Sequence, residues 1–207
     1  MKIDLHVHCR ERSSCASSSE EEQIRAAINN GLNAIVFTDH GRFMPQKRLK
    51  ELNKKYAPFK IYSGIELVIE WEDLLVIGVN KSSLERKEWS YVKLYNFVKK
   101  HKGFIALAHP FRYHSIGIDI ENYPPHAIEA YSNNISSENV KDIMEVSNRL
   151  GLPVLCNSDA HDEDQIGSYY NILDRTPDNE MELVDMLISG QFKCNLPDHI
   201  KGALFAS

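Results

Sequence analysis

The chain is a succession of short apolar runs, most of which stop at a histidine or a carboxylate, with helical spacing between them. The first, residues 3–8, reads as a strand. On its period of two, Asp4, His6 and His8 share one face, with Leu5 and Val7 on the other. Residues 34–37 run into Thr38-Asp39-His40-Gly41, 60–65 into Glu66, 74–79 into Asn80, and 104–108 into His109-Pro110. Residues 127–131 form a further strand, and 153–156 enter Asn157-Ser158-Asp159-Ala160-His161. Apolar runs without polar alternation suit strands buried on both faces, as in parallel sheets.

The intervening stretches read as helices. Ser19 with Glu22 makes a capping box ahead of Ile24, Ala27 and Ile28, and Gly31 ends that helix. Residues 45–56 and 89–102 follow, then a helix capped by Ser137 and closed by Gly151. A last one at 179–188 packs Met181, Leu183, Val184 and Leu187. Strands alternating with helices through short connections predict an α/β barrel with a parallel sheet, in one domain spanning 1–207.

Composition narrows the function. A net charge of −5 with mixed signs leaves no broad basic surface for duplex nucleic acid or anionic membrane. No stretch approaches the roughly 20 apolar residues of a membrane span. The chain enters its first strand without a basic and then apolar leader, so a cytoplasmic location is expected. Cys9, Cys15, Cys156 and Cys194 are scattered, and reduced thiols are expected, with Cys156 a small core residue. His101 and His199 read as surface residues. His114 and His126 lie in or beside the irregular stretch 111–125 and are left open.

In parallel α/β folds the carboxyl ends of all strands lie on one face, which is where sites are built. His6, His8, His40, Glu66, His109, Asp159 and His161 all fall at such ends. Each alone has an ordinary structural reading; together they point to a metal centre. Imidazole and carboxylate without thiolate suit Zn, Mn or Fe, and a bridging carboxylate suits more than one ion. Two ions could activate a shared water and clamp the oxygens of a phosphate. Arg112, three residues past His109, is the first candidate for gripping that phosphate, with Arg10, Arg12 and Arg42 on loops after other ligands. Asp4 and Asp39 stand ready to orient imidazoles from behind. Asp159 or His161 could protonate a leaving group, and Tyr169 and Tyr170 either wall the pocket or pack.

Asp4-Leu5-His6-Val7-His8, Thr38-Asp39-His40-Gly41, Gly64-Ile65-Glu66, Ala108-His109-Pro110 and Ser158-Asp159-Ala160-His161 resemble the ordered motifs of the PHP (polymerase and histidinol phosphatase) family. The resemblance implies a distorted (β/α)7 TIM-like barrel, a centre of two or three metal ions, and phosphoesterase chemistry. It implies that His6, His8, Glu66 and Asp159 hold one ion, that Glu66 bridges to a second bound by His109, and that His40 and His161 belong to a third. The chain departs from the pattern in two places. Ser13 and Ser14, followed by Cys15, stand where members with three metals usually carry an acid or histidine, so the third ion is weak, absent or held partly by Cys15. Asn80 stands where some members place a histidine.

The activity expected is hydrolysis of a small phosphomonoester or nucleotide. The alternatives are a nuclease acting on nucleic-acid ends and a metal-binding module without turnover. The acidic balance weighs against long polymers.

Overall fold

The computed structural model describes residues 1–195; His199 lies outside them. In chain order the elements are β1 (Lys2–Val7), α1 (Glu20–Asn29), β2 (Ala34–Phe37), α2 (Gln46–Lys55), β3 (Lys60–Ile69), β4 (Glu72–Ile77), α3 (Ser83–Arg86) and α4 (Tyr91–Lys100). There follow β5 (Phe104–Ala108), β6 (Ala127–Tyr131), α5 (Ser137–Leu150), β7 (Val154–Cys156), β8 (Tyr170–Leu173), α6 (Glu180–Ile188) and β9 (Phe192–Asn195). The strands form one sheet in the order β7-β6-β5-β4-β3-β2-β1-β8-β9, curled into a nearly closed barrel.

The parallel sheet expected from the sequence is interrupted at β4, which runs antiparallel to both β3 and β5. The cause is a hairpin. β3 continues past Glu66 to Ile69 and turns back through Glu70 and Trp71, both at positive φ (54° and 73°). Paired positive φ values give a two-residue turn the twist a hairpin needs, and Asn-Gly is its usual signal. Glu-Trp carries no such signal. The reversal sends Asn80 away from the strand ends that hold the histidines, to a hydrogen bond from its Nδ2 to Glu180 (3.1 Å). It brings the start of β4 to them instead. Gly64 makes the close approach possible, since a Cβ there would lie 2.8 Å from the Val76 carbonyl oxygen.

A second departure lies in β1. Its register with β2 shifts between Asp4 and Val7, which breaks the simple alternation. Ile3 and Leu5 join the cluster inside the barrel, and Val7 joins the one under α1 and α2. Asp4 therefore does not work on the imidazoles as expected. Its carboxylate accepts from the Ser158 hydroxyl and N–H and from the His6 N–H.

Closure follows from polar contacts of the β7 edge with β1 and β8. The stretch after β7 pairs with β1, His8 N–H donating to the Ala160 carbonyl at 2.9 Å. Asn171 on β8 accepts from the Cys156 N–H (3.1 Å) and donates to its carbonyl (2.8 Å). Cys156 and Cys194 are joined as a disulfide between β7 and β9, which corrects the expectation of four reduced thiols. Their separation of 38 residues hid the pairing, because only barrel closure brings the strands together. Cys9 and Cys15 are free.

The apolar core has three parts. Inside the barrel Ile3, Leu5, Leu75, Ile77, Phe104 and Leu155 meet Leu183, Val184 and Leu187 of α6. The other two clusters lie under α1 and α2 and around α4 and α5. The Ser19–Glu22 capping box forms as expected. Ser136, one residue before the expected Ser137, caps α5. On α6 Leu183, Val184 and Leu187 are buried as expected, but Met186 joins them in place of Met181, which is exposed. His101 is half-buried against Phe97 rather than on the surface. Among the described residues no helix is long and apolar enough to cross a membrane.

Candidate metal centre

Glu66 sits at the centre of the histidines. Its Oε1 lies 3.2 Å from His6 Nε2 and 3.3 Å from His109 Nε2. Its Oε2 lies 3.3 Å from His8 Nε2 and 2.8 Å from His40 Nδ1. Asp159 closes the other side, with Oδ1 3.3 Å from His6 Nε2 and 3.2 Å from His8 Nε2. His161 and His40 both pack on His8, at 4.2 and 4.4 Å between ring centroids, and lie 5.9 Å from each other. All seven residues expected from the sequence thus meet in one place.

Three contacts set which nitrogens face inward. Glu129, buried on β6, places Oε1 3.2 Å from His6 Nδ1. Ser13 Oγ donates to Asp39 Oδ1 (2.8 Å), so toward His8 Nδ1 at 3.2 Å it can only accept. His161 Nδ1 lies 3.1 Å from the Asp159 carbonyl oxygen, again an acceptor only. With the ring neutral, each of these contacts favours the proton on Nδ1 and leaves Nε2 as the lone pair. Asp39 thus acts on His8 through Ser13, and the serine that seemed a departure is part of the support.

The inner atoms do not satisfy one another. His6 Nε2, His8 Nε2, both Glu66 oxygens and Asp159 Oδ1 are buried without a hydrogen-bond partner. Lone pairs facing lone pairs in a dry place cost about 1–3 kcal/mol per group. A divalent cation would satisfy them together. Groups at this centre whose ligand atoms lie within 4.8 Å of one another include His6–His8–Glu66, His6–His109–Asp159, Glu66–Asp73–His109 and His8–His40–His161. Asp73, delivered by the reversal of β4, is the ligand type that sequence reasoning missed.

Charge crowding moves the titrations as expected for such a site. Burial alone would raise the Glu66 carboxyl, but the imidazoles of His6, His109 and His40 hold it well below the usual range. Asp159 is likewise lowered against its burial, chiefly by His6 and His8. Burial opposes a charge on His6, yet Asp159, Glu66 and Glu129 pull it well up, so without a cation a proton on Nε2 is favoured, and a bound ion would take that proton's place. His8 goes down, because burial dominates there. Asp4 is pushed up to about 7 by burial, despite its hydrogen bonds from Ser158 and His6.

Arg112 stands at the rim. Its Nη2 donates to Asn134 Oδ1 (3.1 Å), and Asn134 Nδ2 donates to Asp159 Oδ2 (2.6 Å). That relay through the β6–α5 loop was not legible. Arg12 is held inward by Asp39 and Glu20 at 2.7 and 2.9 Å. Arg10 turns to Glu22 (3.4 Å) and the Ser17 carbonyl (3.3 Å), and Arg42 is exposed on the loop after His40. Tyr169 and Tyr170 pack against the core clusters. His126 accepts from the Ile105 N–H, and His114 lies beside the β3–β4 turn. Backbone strain marks the same rim: His109, Phe111 and Asp159 adopt positive φ (24°, 63° and 51°).

Imidazoles and carboxylates gathered at the strand ends of a barrel make a candidate metal centre. The model of the PHP domain family matches residues 4–128, more than half of the chain, and that of the PHP-associated family matches 141–192. The chain belongs to the PHP domain family. PsfC from Pseudomonas syringae has a similar fold, with a TM-score of 0.70 at 17% identity over 95% of this chain and 91% of that one. A two-domain protein from Bacteroides vulgatus containing a predicted PHP-like metal-dependent phosphoesterase gives 0.67 at 14% identity, over 95% of this chain and 64% of that one. The lesion-specific endonuclease of Pyrococcus furiosus gives 0.64 at 15% identity, over 93% of this chain and 57% of that one. No match was found among the curated proteins.

Proposed function

We propose that this protein hydrolyses the phosphate ester of a small molecule, a phosphomonoester or nucleotide, with two or three divalent ions drawn from Zn, Mn and Fe. The observation that carries this reading is the set of buried, unpartnered lone pairs on His6, His8, Glu66 and Asp159. We assign His6, His8, Glu66 and Asp159 to one ion, and Glu66, His109 and Asp73 to a second. His40 and His161, with His8 beside them, are assigned to a third. Ions held there lower the pKa of water and offset charge on phosphate oxygens.

The chain's own groups supply the rest. Glu129 and the Asp39–Ser13 pair keep the His6 and His8 lone pairs aimed inward. Asn134 steers Arg112 to the rim, where its planar guanidinium matches two phosphate oxygens. Arg112→Ala should raise KM about tenfold through loss of a charge-assisted contact, with kcat less affected; an unchanged KM would remove Arg112 from the substrate site. His161, with its proton on Nδ1, is better suited to hold an ion through Nε2 than to donate to a leaving group. Arg10 and Arg42 are left without an assigned part in substrate binding.

The test is phosphate release from phenyl phosphate by protein stripped with a chelator and reloaded with Mn or Zn, beside Asp159→Asn. Turnover that returns with metal and vanishes in the variant is expected. Metal uptake with no release from phenyl phosphate, ribose 5-phosphate or adenosine monophosphate would overturn the proposal.

A further inference from the structure

Among the described residues, four large apolar side chains stand far out into solvent: Trp71 (84% exposed), Tyr113 (76%), Met181 (74%) and Val68 (65%). Met181 belongs to α6. The other three lie on two neighbouring segments beside the metal centre, the β3–β4 hairpin and the loop after β5. Val68 pairs directly with Asp73, and alternation puts it on the same side of the hairpin as Glu66, two residues earlier. The His114 ring joins the two segments, with Nε2 3.1 Å from the Trp71 carbonyl oxygen. Trp71, Asp73, His109, Arg112 and Tyr113 line one narrow cleft of about 10 Å³, so a ring would meet its exposed aromatic rims rather than its floor.

Folding does not explain these side chains. Trp71 holds a φ of 73° in a turn where glycine is the natural occupant, so a bulky side chain there is strained. At 84% exposure it gains almost nothing from burial in return. Tyr113 lies under the guanidinium of Arg112, 5.0 Å from ring centroid to Cζ. One aromatic thus braces the phosphate-gripping arginine, and another stands across the same concavity with its faces free. Strained backbone kept at a site rim points to use rather than to stability.

We propose that Trp71 and Tyr113 form a stacking subsite for a planar ring carried by the phosphate ester, with Val68 as its apolar margin toward the centre. The two residues determine specificity; they do not take part in bond cleavage. The inference rests on the phosphoesterase reading above and narrows its substrate to esters bearing a nucleobase or an aryl ring. Ring stacking suits an exposed indole because every such ring offers a π-face, whatever its hydrogen-bonding edge.

The experiment compares the metal-loaded full chain with Trp71→Ala and Trp71→Phe on adenosine monophosphate, phenyl phosphate and ribose 5-phosphate. Trp71→Ala should raise KM about tenfold or more on a ring-bearing ester, leave ribose 5-phosphate unchanged, and be rescued largely by Trp71→Phe. A defect on adenosine monophosphate alone assigns the subsite to a nucleobase; one on phenyl phosphate alone assigns it to an aryl ester. Equal losses on all three esters, or none on either ring-bearing ester, would overturn it. Tryptophan emission gives a readout independent of hydrolysis, since Trp71 and Trp89 are the two tryptophans of the chain and Trp89 is half-buried beside Phe97. Adenosine should quench it saturably, ribose should not, and Trp71→Phe should abolish the response. Were no ester turned over, the phosphoesterase reading would fail while the quenching still decided the subsite.

Discussion

Glu66→Gln should abolish phosphate release, with kcat/KM falling on the order of 10³-fold, equivalent to about 4 kcal/mol of lost transition-state stabilisation. The magnitude follows from position. Four imidazoles, those of His6, His8, His40 and His109, lie within 3.3 Å of its two oxygens. The change keeps shape and volume but replaces one oxygen with an NH2 group, which can donate but cannot ligate. It also removes the negative charge that would offset the proposed cations. Metal content should fall alongside activity, while circular dichroism stays that of the folded chain. A Glu66→Gln protein that kept full metal content and turnover would show that this carboxylate is not the bridge.

Glu129→Gln should cost about 10- to 100-fold in metal affinity, the usual effect of removing the partner behind a ligating histidine. Glu129 would touch no ion itself. Its Oε1 faces His6 Nδ1 and accepts from Asn157 Nδ2 at 2.8 Å, and its Oε2 accepts from the His109 N–H at 3.0 Å. An amide has one acceptor oxygen for these three donors, so at least one is left unpaired. If His6 loses its Nδ1 partner, the tautomer with Nε2 free is no longer favoured. Competition against a chelator dye, with and without the substitution, measures the effect. Unchanged affinity would mean that His6 is oriented by β1 alone.

The strand ends were legible because each candidate ligand lies at the end of an apolar run that reads as a buried strand. His6, His8, His40, Glu66, His109, Asp159 and His161 are such cases, and the structure brings them together. Asp73 was not legible, because the Glu70-Trp71 turn that reverses β4 lacks the glycine or asparagine that announces a hairpin. Glu129 did leave a signal. A carboxylate within Ala127-Ile128-Glu129-Ala130-Tyr131 must be partnered if the strand is buried. Asn134 and Ser13 act through side-chain hydrogen bonds from loops, where residue type carries little information. The β1 register shift and the Cys156–Cys194 link arise from closing the barrel, a long-range event that local periodicity does not encode.

The central claim is that these facing lone pairs exist to hold metal. Elemental analysis of the protein, stripped with a chelator, reloaded with Mn or Zn and passed through a desalting column, tests it most directly. Two or more ions per chain in the native protein, with a clear loss in Glu66→Gln, are predicted. A native chain that emerges without bound metal, or a Glu66→Gln chain with the native count, would contradict the account.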